Sequence, residues 1–252
     1  MTALSGQHAV VTGGGRGIGR ACAAALSAAG ASVTVIGRTE ASLKDAVSKG
    51  HAAGYALADV TDDHAIRGAI EGAAEARGPV SLLIANAGGA ESAPFGKTTA
   101  DLFRRLFELN TMSVVHAAQA VLPGMVTRGA GRIVVIASTA GLHGAAYVSA
   151  YVTAKHAAVG LVRALAAETA STGVTVNAVC PSYVDTDLVG NSLDKITKLT
   201  GRSREDALAT MLKANPIGRL ITPEEVAAAV LSLCLPQSGA ITGATIPIGG
   251  EA

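Results

Sequence analysis

The chain has 252 residues, of which 49% are hydrophobic and 15% charged, and its net charge is +1. This size and balance suit one globular α/β domain with a large core. A charge so close to zero gives no indication of binding to nucleic acid or to an anionic membrane surface.

Cysteines, histidines and the first residues set further limits. Cys22, Cys180 and Cys234 lie far apart in apolar surroundings, which is typical of free thiols in a reducing cytoplasm. The residues before Gln7 lack the basic and apolar regions of a signal peptide. We expect no membrane-spanning helix. We also expect no metal site, because the histidines have no ligand-like spacing.

Strand-like and helix-like segments alternate along the chain. Predicted strands cover residues 8–12, 32–36, 54–57, 81–85, 132–138, 174–179 and 244–248. Predicted helices cover residues 17–29, 40–49, 62–76, 100–128, 149–171, 187–199, 204–214 and 223–235. The strands are continuous apolar runs, which is typical of parallel strands buried on both faces. The order predicts a doubly wound, Rossmann-like parallel sheet with helices on both faces, in a single domain spanning residues 1–252.

One long connection interrupts this alternation. About 40 residues between Pro181 and Thr222 contain two short helix-like segments and no strand. Because a connection of this length in a compact domain is usually functional, we predict a helical substrate lid over about 182–219. A plain two-helix insertion is the alternative. Thr222 is the predicted N-cap of the last helix, with Pro223 at its first position.

A glycine-rich segment follows the first predicted strand and opens the first predicted helix. Glycines let the backbone approach a phosphate closely, and a helix N-terminus presents free N–H groups to it. In this strand–turn–helix setting the pattern predicts a dinucleotide site. A glycine-rich turn with no ligand is the alternative. The candidate residues are Gly13, Gly15, Arg16, Gly17, Ile18 and Gly19.

The end of the second predicted strand distinguishes NADP from NAD. An NAD-binding fold usually places Asp or Glu there to hold the ribose 2′-hydroxyl. This strand instead runs into Gly37, Arg38 and Thr39. Arg38 and Arg16 supply two guanidinium groups, which suit a 2′-phosphate. The sequence therefore favours NADP(H) over NAD(H), with two solvated surface arginines as the alternative.

Ser138, Tyr151 and Lys155 lie in one short stretch. On a helix Tyr151 and Lys155 share a face, one turn apart. An ammonium beside a phenolate at roughly 5 Å, with an effective dielectric of about 20, contributes about 3 kcal/mol. We therefore expect Lys155 to lower the pKa of Tyr151, a candidate general acid/base, with Ser138 holding a substrate oxygen. A surface Tyr and Lys on an amphipathic helix are the alternative.

These motifs together closely resemble the short-chain dehydrogenases/reductases, over essentially the whole chain. The resemblance lies in an ordered set and not in one motif. That set is Thr-Gly-x-x-x-Gly-x-Gly at 12–19, Asp59-Val60, Asn86-Ala87-Gly88, Asn110, Ser138, Tyr151 with Lys155, and Pro181 followed by Thr186.

The resemblance implies a catalytic set of four residues. A nicotinamide cofactor would deliver hydride to a carbonyl carbon, and oxidation of the alcohol would reverse this path. Ser138 would donate a hydrogen bond to the carbonyl oxygen, and Tyr151 would supply the proton. Lys155 would tune Tyr151 and bind the ribose hydroxyls of the cofactor. Asn110 would hold the local backbone and a water that connects Lys155 to solvent.

The resemblance also implies contacts with the cofactor. Asp59 would accept a hydrogen bond from the adenine amine, and Val60 would lie against that ring. The residues implied at the ribose are Asn86, Ala87 and Gly88. Those implied on the nicotinamide side are Pro181, Ser182, Val184 and Thr186. Because the family commonly has glycine where this chain has Ser182, the fit of the substrate there stays open.

The substrate is expected from two further resemblances. Residues 176–181 and 215–219 resemble bacterial ketoreductases of 3-oxoacyl thioesters, and the predicted lid resembles that of 3-hydroxybutyrate dehydrogenases. The expected reaction interconverts a 3-oxoacyl thioester, of CoA or an acyl carrier protein, and its 3-hydroxy form. Basic residues that would meet the phosphates of such a carrier, unless they are simply solvated, are Lys195, Lys198, Arg202 and Arg204.

Two other functions stay open. The first is an NADP-dependent dehydrogenase of another secondary alcohol, such as a cyclic alcohol or a small hydroxy acid. The second is a nucleotide-sensing regulator on the same fold, which would be expected to lack the tyrosine or the lysine. The resemblance also implies a homotetramer, with the helices after Asn86 and around Tyr151 at the main interface.

Overall fold

The structure is a computed structural model that describes residues 2–213 and 215–250. Its centre is a seven-stranded sheet in the order β3-β2-β1-β4-β5-β6-β7. The strands are β1 (His8–Thr12), β2 (Ser32–Gly37), β3 (Gly54–Leu57), β4 (Val80–Ala85), β5 (Gly131–Ile136), β6 (Val174–Pro181) and β7 (Thr245–Ile248). Neighbouring strands pair in parallel throughout. The prediction of a doubly wound parallel sheet is confirmed.

Helices connect the strands and cover both faces of the sheet. They are α1 (Gly17–Ala28), α2 (Glu40–Ser48), α3 (Asp63–Arg77), α4 (Ala100–Phe107), α5 (Ser113–Arg128), α6 (Ser149–Thr169), α7 (Asp187–Thr200), α8 (Arg204–Lys213) and α9 (Pro223–Cys234). Neighbouring residues of β1 show the two-sided burial. Val11 belongs to the core cluster that contains Leu26 of α1 and Val230 of α9, whereas Val10 belongs to the cluster that contains Ile66 of α3 and Val162 of α6. Successive strand residues point to opposite faces, so a continuous apolar strand needs helices on both.

The predicted single helix over 100–128 is wrong in one respect. A π-helical turn, Glu108–Met112, separates α4 from α5. The side-chain amide of Asn110 donates a hydrogen bond to the Leu106 carbonyl at 2.9 Å, within the last turn of α4. Single π turns inside helices occur frequently at functional sites, and this one contains a predicted site residue.

The segment between β6 and α9, residues 182–219, forms an insert with its own small apolar cluster. Val189 and Leu193 of α7 pack against Ala207 of α8, and Tyr183 lies against them. Two backbone hydrogen bonds close the base of the insert, from Asp185 N to Ile221 O at 2.8 Å and from Ile221 N to Tyr183 O at 2.9 Å. The predicted pair of helices in this region is confirmed.

The N-terminus of α9 has the predicted cap. Thr222 Oγ1 accepts a hydrogen bond from Glu225 N at 3.2 Å, and the Glu225 carboxylate accepts one from Thr222 N at 2.8 Å. This reciprocal capping box satisfies two backbone donors that the first turn of a helix leaves free.

Candidate active site

The glycine turn after β1 presents bare backbone beside the N-terminus of α1. A Cβ on Gly13 would lie 2.9 Å from Asn86 Nδ2, and one on Gly15 would lie 2.6 Å from Ser42 Oγ, so neither position has room for a side chain. Helix α1 has no side-chain cap and no acidic residue in its first turn. Its free N–H groups and positive dipole end therefore suit a phosphate. These residues fit the pyrophosphate of a dinucleotide, and Ile18 and Gly19 lie in the first turn of α1.

Exposed arginines lie on both sides of this turn. Arg38 directly follows Gly37, the last residue of β2, and its guanidinium lies 3.5 Å from the carboxylate of Asp59. The Arg16 guanidinium lies 3.6 Å from the carboxylate of Asp187, at the start of α7. Pairs this exposed are weak, so both guanidiniums remain open to a stronger anion. Thr39 is the N-cap residue of α2.

Asp59 and Val60 follow β3. Asp59 accepts hydrogen bonds from the backbone and hydroxyl of Thr61, and these bonds, helped by Arg38, hold the pKa of its carboxyl below the ordinary value. Asp59 is therefore an ionised acceptor at neutral pH. Val60 is buried and belongs to the core cluster that contains Ile66.

Asn86 joins the end of β4 to the glycine turn. Its side-chain amide donates to the carbonyls of Thr12 at 3.0 Å and Gly13 at 3.3 Å. The backbone N–H groups of Asn86 and Ala87 both donate to Thr12 Oγ1. The order of strands reverses between β1 and β4, and open α/β sheets bind ligands at such a point, beyond the carboxyl ends of the strands.

Asn110 holds the backbone next to Lys155. It is buried, and its side chain donates to Gly89 O at 2.9 Å and accepts from Gly89 N at 3.2 Å. A Cβ on Gly88 would lie 2.8 Å from Asn110 Oδ1 and 3.5 Å from Lys155 Nζ. Glycine at 88 therefore permits the close approach of this amide, the loop after β4 and the lysine.

Ser138, Tyr151 and Lys155 come together at the end of β5. Helix α6 carries Tyr151 and Lys155 one turn apart, as the spacing predicts. Ser138 begins a short turn after β5, with its hydroxyl accepting from Ala140 N at 3.1 Å. A Cβ on Gly141 would lie 2.8 Å from the Lys155 carbonyl, so glycine there lets this turn pack against α6.

Burial governs the pKa values of Tyr151 and Lys155. Burial raises the pKa of Tyr151 to about 12, and the nearby Ser138 hydroxyl offsets only part of that effect. Burial lowers the pKa of Lys155 to about 8. Lys155 Nζ donates to Ile136 O at 2.9 Å and lies 5.8 Å from the centre of the Tyr151 ring. The pKa of Tyr151 is therefore raised and not lowered as expected, because loss of hydration penalises the phenolate more than its neighbours favour it.

The residues predicted at the nicotinamide side follow β6. Pro181 ends that strand, Ser182 N donates to Ile248 O at 3.0 Å, and buried Val184 pairs with Ile221. A Cβ on Gly17 would lie 3.2 Å from Thr186 Cγ2, which places the start of the insert directly beside the glycine turn.

Two basic residues of the insert are already engaged within the protein. Lys195 Nζ donates to Ser92 O at 2.8 Å, which ties α7 to the loop after β4. Arg204 forms an ion pair with Asp194 of α7. The expectation that the four basic residues of the insert meet the phosphates of a carrier stays a prediction.

Sequence reasoning missed two aromatic residues near this site. Phe95 follows the loop after β4, and Tyr147 precedes α6 by two residues. Their exposed fractions are 75% and 67%. The available signal was the position of these side chains next to motif residues in a chain with 3% aromatics.

The fold and this site define a dinucleotide-binding oxidoreductase. The family model of the short chain dehydrogenases matches residues 7–197. The chain belongs to that family, whose members bind NAD(P). No helix within residues 2–213 and 215–250 is long and apolar enough to span a bilayer.

Individual members of the family are similar to the chain over nearly its whole length. The galactitol 2-dehydrogenase (L-tagatose-forming) of Cereibacter sphaeroides is 38% identical, covering 98% of this chain and 95% of the relative. The 3-oxoacyl-acyl-carrier-protein reductase of Vibrio harveyi is 34% identical, covering 98% and 97%. The structure of a variant of actinorhodin polyketide ketoreductase with NADPH superposes with a TM-score of 0.94, at 33% identity, covering 100% and 99%.

Proposed function

We propose that this protein is an NADP(H)-dependent reductase that converts a 3-oxoacyl thioester, of CoA or an acyl carrier protein, to its 3-hydroxy form. The observation that carries the proposal is the arrangement of Ser138, Tyr151 and Lys155 at the end of β5, at the same edge of the sheet as the glycine turn. A phenol that keeps its proton at neutral pH suits reduction, in which the tyrosine acts as an acid.

The side chains divide the reaction among them. A nicotinamide cofactor held by the glycine turn, Asn86 and the residues after β6 would supply hydride to the carbonyl carbon. The Ser138 hydroxyl donates a hydrogen bond to the carbonyl oxygen and holds it against Tyr151. Tyr151 gives its proton to that oxygen as negative charge develops there, and the Lys155 ammonium stabilises the phenolate that remains. Asn110 fixes the Gly89 backbone next to these groups.

The preference for NADP(H) rests on charge at the end of β2. Gly37 offers no carboxylate to a ribose 2′-hydroxyl, and Arg16 and Arg38 offer two exposed guanidiniums. A phosphate carries more charge than either carboxylate that now faces them, so it would displace Asp187 and Asp59 from these weak pairs. The NADPH in the structure of actinorhodin polyketide ketoreductase agrees with this proposal.

A thioester substrate is supported by the similarity to the 3-oxoacyl-acyl-carrier-protein reductase of Vibrio harveyi. A second candidate is a dehydrogenase of another secondary alcohol, which the 38% identity to a galactitol 2-dehydrogenase favours. The homotetramer implied by the family stays a proposal, supported by a shallow depression between α4 and α6 lined by Phe103 and Phe107. A cytoplasmic location is supported by three free, buried cysteines.

The test compares initial rates with NADPH and NADH on acetoacetyl-CoA. We expect NADPH to be used at least about tenfold more efficiently, because one charge-assisted pair contributes about 1.5 kcal/mol or more. The Gly37→Asp variant is a matched control. A Cβ at Gly37 would lie 3.5 Å from Leu43 Cδ2, which is ordinary contact, and the new carboxylate should shift the preference towards NADH.

Two outcomes would contradict parts of the proposal. Equal or better turnover with NADH in the wild type would contradict the preference for NADP(H) that we infer from Gly37, Arg16 and Arg38. Turnover of simple ketones or sugar alcohols without any of acetoacetyl-CoA would support the second candidate instead.

A further inference from the structure

Phe95 and Tyr147 are the most exposed large apolar side chains in the described part of the chain, at 75% and 67%. The chain has only three phenylalanines, four tyrosines and no tryptophan. Among these seven aromatic residues, Phe95 and Tyr147 are mostly exposed to solvent, and the next most exposed, Phe107, is at 37%. Phe95 follows β4 and Tyr147 follows β5, so both lie beyond the carboxyl ends of the central strands. Open parallel sheets bind their ligands at that edge.

The loop that leads to Phe95 is fixed to the site along its length. Its contacts are Gly89 with Asn110, Glu91 with Arg105 at 2.7 Å, Ser92 with Lys195 at 2.8 Å, and Ala93 N with Tyr147 O at 2.7 Å. The last contact holds the Cα atoms of Phe95 and Tyr147 within about 13 Å of each other. The two aromatic residues therefore have set positions relative to Asn110 and to the N-terminus of α6.

Tyr147 has a backbone conformation that costs energy. Its φ is +66°, and it is the one non-glycine residue with positive φ in residues 2–213 and 215–250. Glycine adopts this region without strain, whereas in tyrosine the Cβ atom lies too close to the backbone. Strained non-glycine residues cluster at ligand sites. Because the Tyr147 ring is largely exposed, packing within the subunit does not account for the presence of an aromatic residue at this position.

We propose that Phe95 and Tyr147, here called the aromatic rim, bind a planar ring carried by the substrate. Aryl or cyclic 3-oxoacyl thioesters are then the preferred substrates. This inference rests on the proposed function, because it describes the outer part of the same site. With the carbonyl at Ser138 and Tyr151, the ring of the substrate extends outwards to the rim and stacks there in offset or edge-to-face geometry.

The test measures kcat and KM with NADPH for two N-acetylcysteamine thioesters, the 3-oxo-3-phenylpropanoyl and the acetoacetyl derivative. We expect Tyr147→Gly and Phe95→Ala each to raise KM for the phenyl substrate about fivefold, the effect of one aromatic contact. KM for acetoacetyl thioester should stay within about twofold. Tyr147→Phe should keep the wild-type values, because it keeps the ring.

Stability separates substrate binding from a structural role of Tyr147. Glycine relieves the strain at φ +66°, so Tyr147→Gly should melt no lower than the wild type while it loses the phenyl preference. Ile241→Ala removes an exposed apolar side chain before β7, at the opposite edge of the sheet, and should change neither KM.

Two results would contradict the proposal that the aromatic rim binds a ring of the substrate. KM values that change equally for both thioesters, or not at all, would show that the rings do not contact the variable part of the substrate. A loss of subunit association in Tyr147→Gly or Phe95→Ala, measured by light scattering, would assign the rings to a subunit contact.

If the wild type reduces neither thioester, the proposed function fails. The rim is then tested by the same variants on 1-tetralone and 2-butanone, where loss of the preference for the ring ketone is again expected.

Discussion

Tyr151 and Lys155 lie one turn apart on α6, and burial shifts their pKa values in opposite directions. It raises the pKa of the phenol to about 12 and lowers that of the ammonium to about 8. Both shifts favour the neutral forms, because each charged form loses hydration. At neutral pH Tyr151 therefore holds a proton to donate, while Lys155 still carries most of its charge.

A pH profile of reduction follows from the Lys155 pKa. The cation is present below about pH 8 and disappears as the pH rises through that value, so kcat/KM for the carbonyl substrate should fall above about pH 8 at saturating cofactor. In Lys155→Arg the guanidinium stays protonated, and this falling limb should be absent even if the variant is slower. A flat wild-type profile between about pH 6 and pH 10 would contradict the role given to the Lys155 charge.

The sequence could predict which residues form the site but not the pKa values of their side chains. Residues four apart in sequence lie on one face of a helix, and Tyr151 and Lys155 are arranged in this way on α6. The pKa of Tyr151 depends on how much solvent the fold removes and on which acceptor Lys155 finds. That acceptor is Ile136 O, on a strand that is distant in sequence. Tyr147 was missed for a similar reason, since its backbone conformation is not readable from residue type.

At the scale of elements, the loop after β4 connects several helical segments around the site. It contacts the π-helical turn through Asn110, α4 through Arg105 and α7 through Lys195. Periodicity predicted α4 and α5 as one helix, because the single π turn leaves the apolar pattern nearly unchanged. The side-chain bond from Asn110 to Leu106 O becomes visible only in three dimensions.

The contact of Lys195 with Ser92 predicts how firmly the insert is held. In Lys195→Met the hydrogen bond is lost, and a bond to a charged group contributes about 1.5 kcal/mol. Amide hydrogens of α7 should then exchange about tenfold faster in the variant. The control is Lys198→Met, an exposed lysine one turn further along the same helix. Equal exchange in both variants would show that Lys195 does not hold α7 in place.

For the whole molecule, the parallel sheet assembles residues that are far apart in sequence. The glycine turn, Asn86, Ser138 and Pro181 each follow or end a different strand, and all strands point the same way. Apolar continuity and alternation of elements were enough to predict this arrangement. They were not enough to predict what the insert contacts, because the contact of Lys195 with Ser92 depends on packing between distant segments.

The most direct test of the account is the Tyr151→Phe variant, which removes only the hydroxyl that donates the proton. Turnover of the carbonyl substrate should fall by about a thousandfold or more, the range of a lost general acid, while NADPH binding measured by fluorescence stays unchanged. Tyr55→Phe, which removes a hydroxyl bonded to Glu40 on an edge strand, should keep wild-type turnover. Substantial activity in Tyr151→Phe with intact cofactor binding would contradict the assignment of Tyr151 as the proton donor.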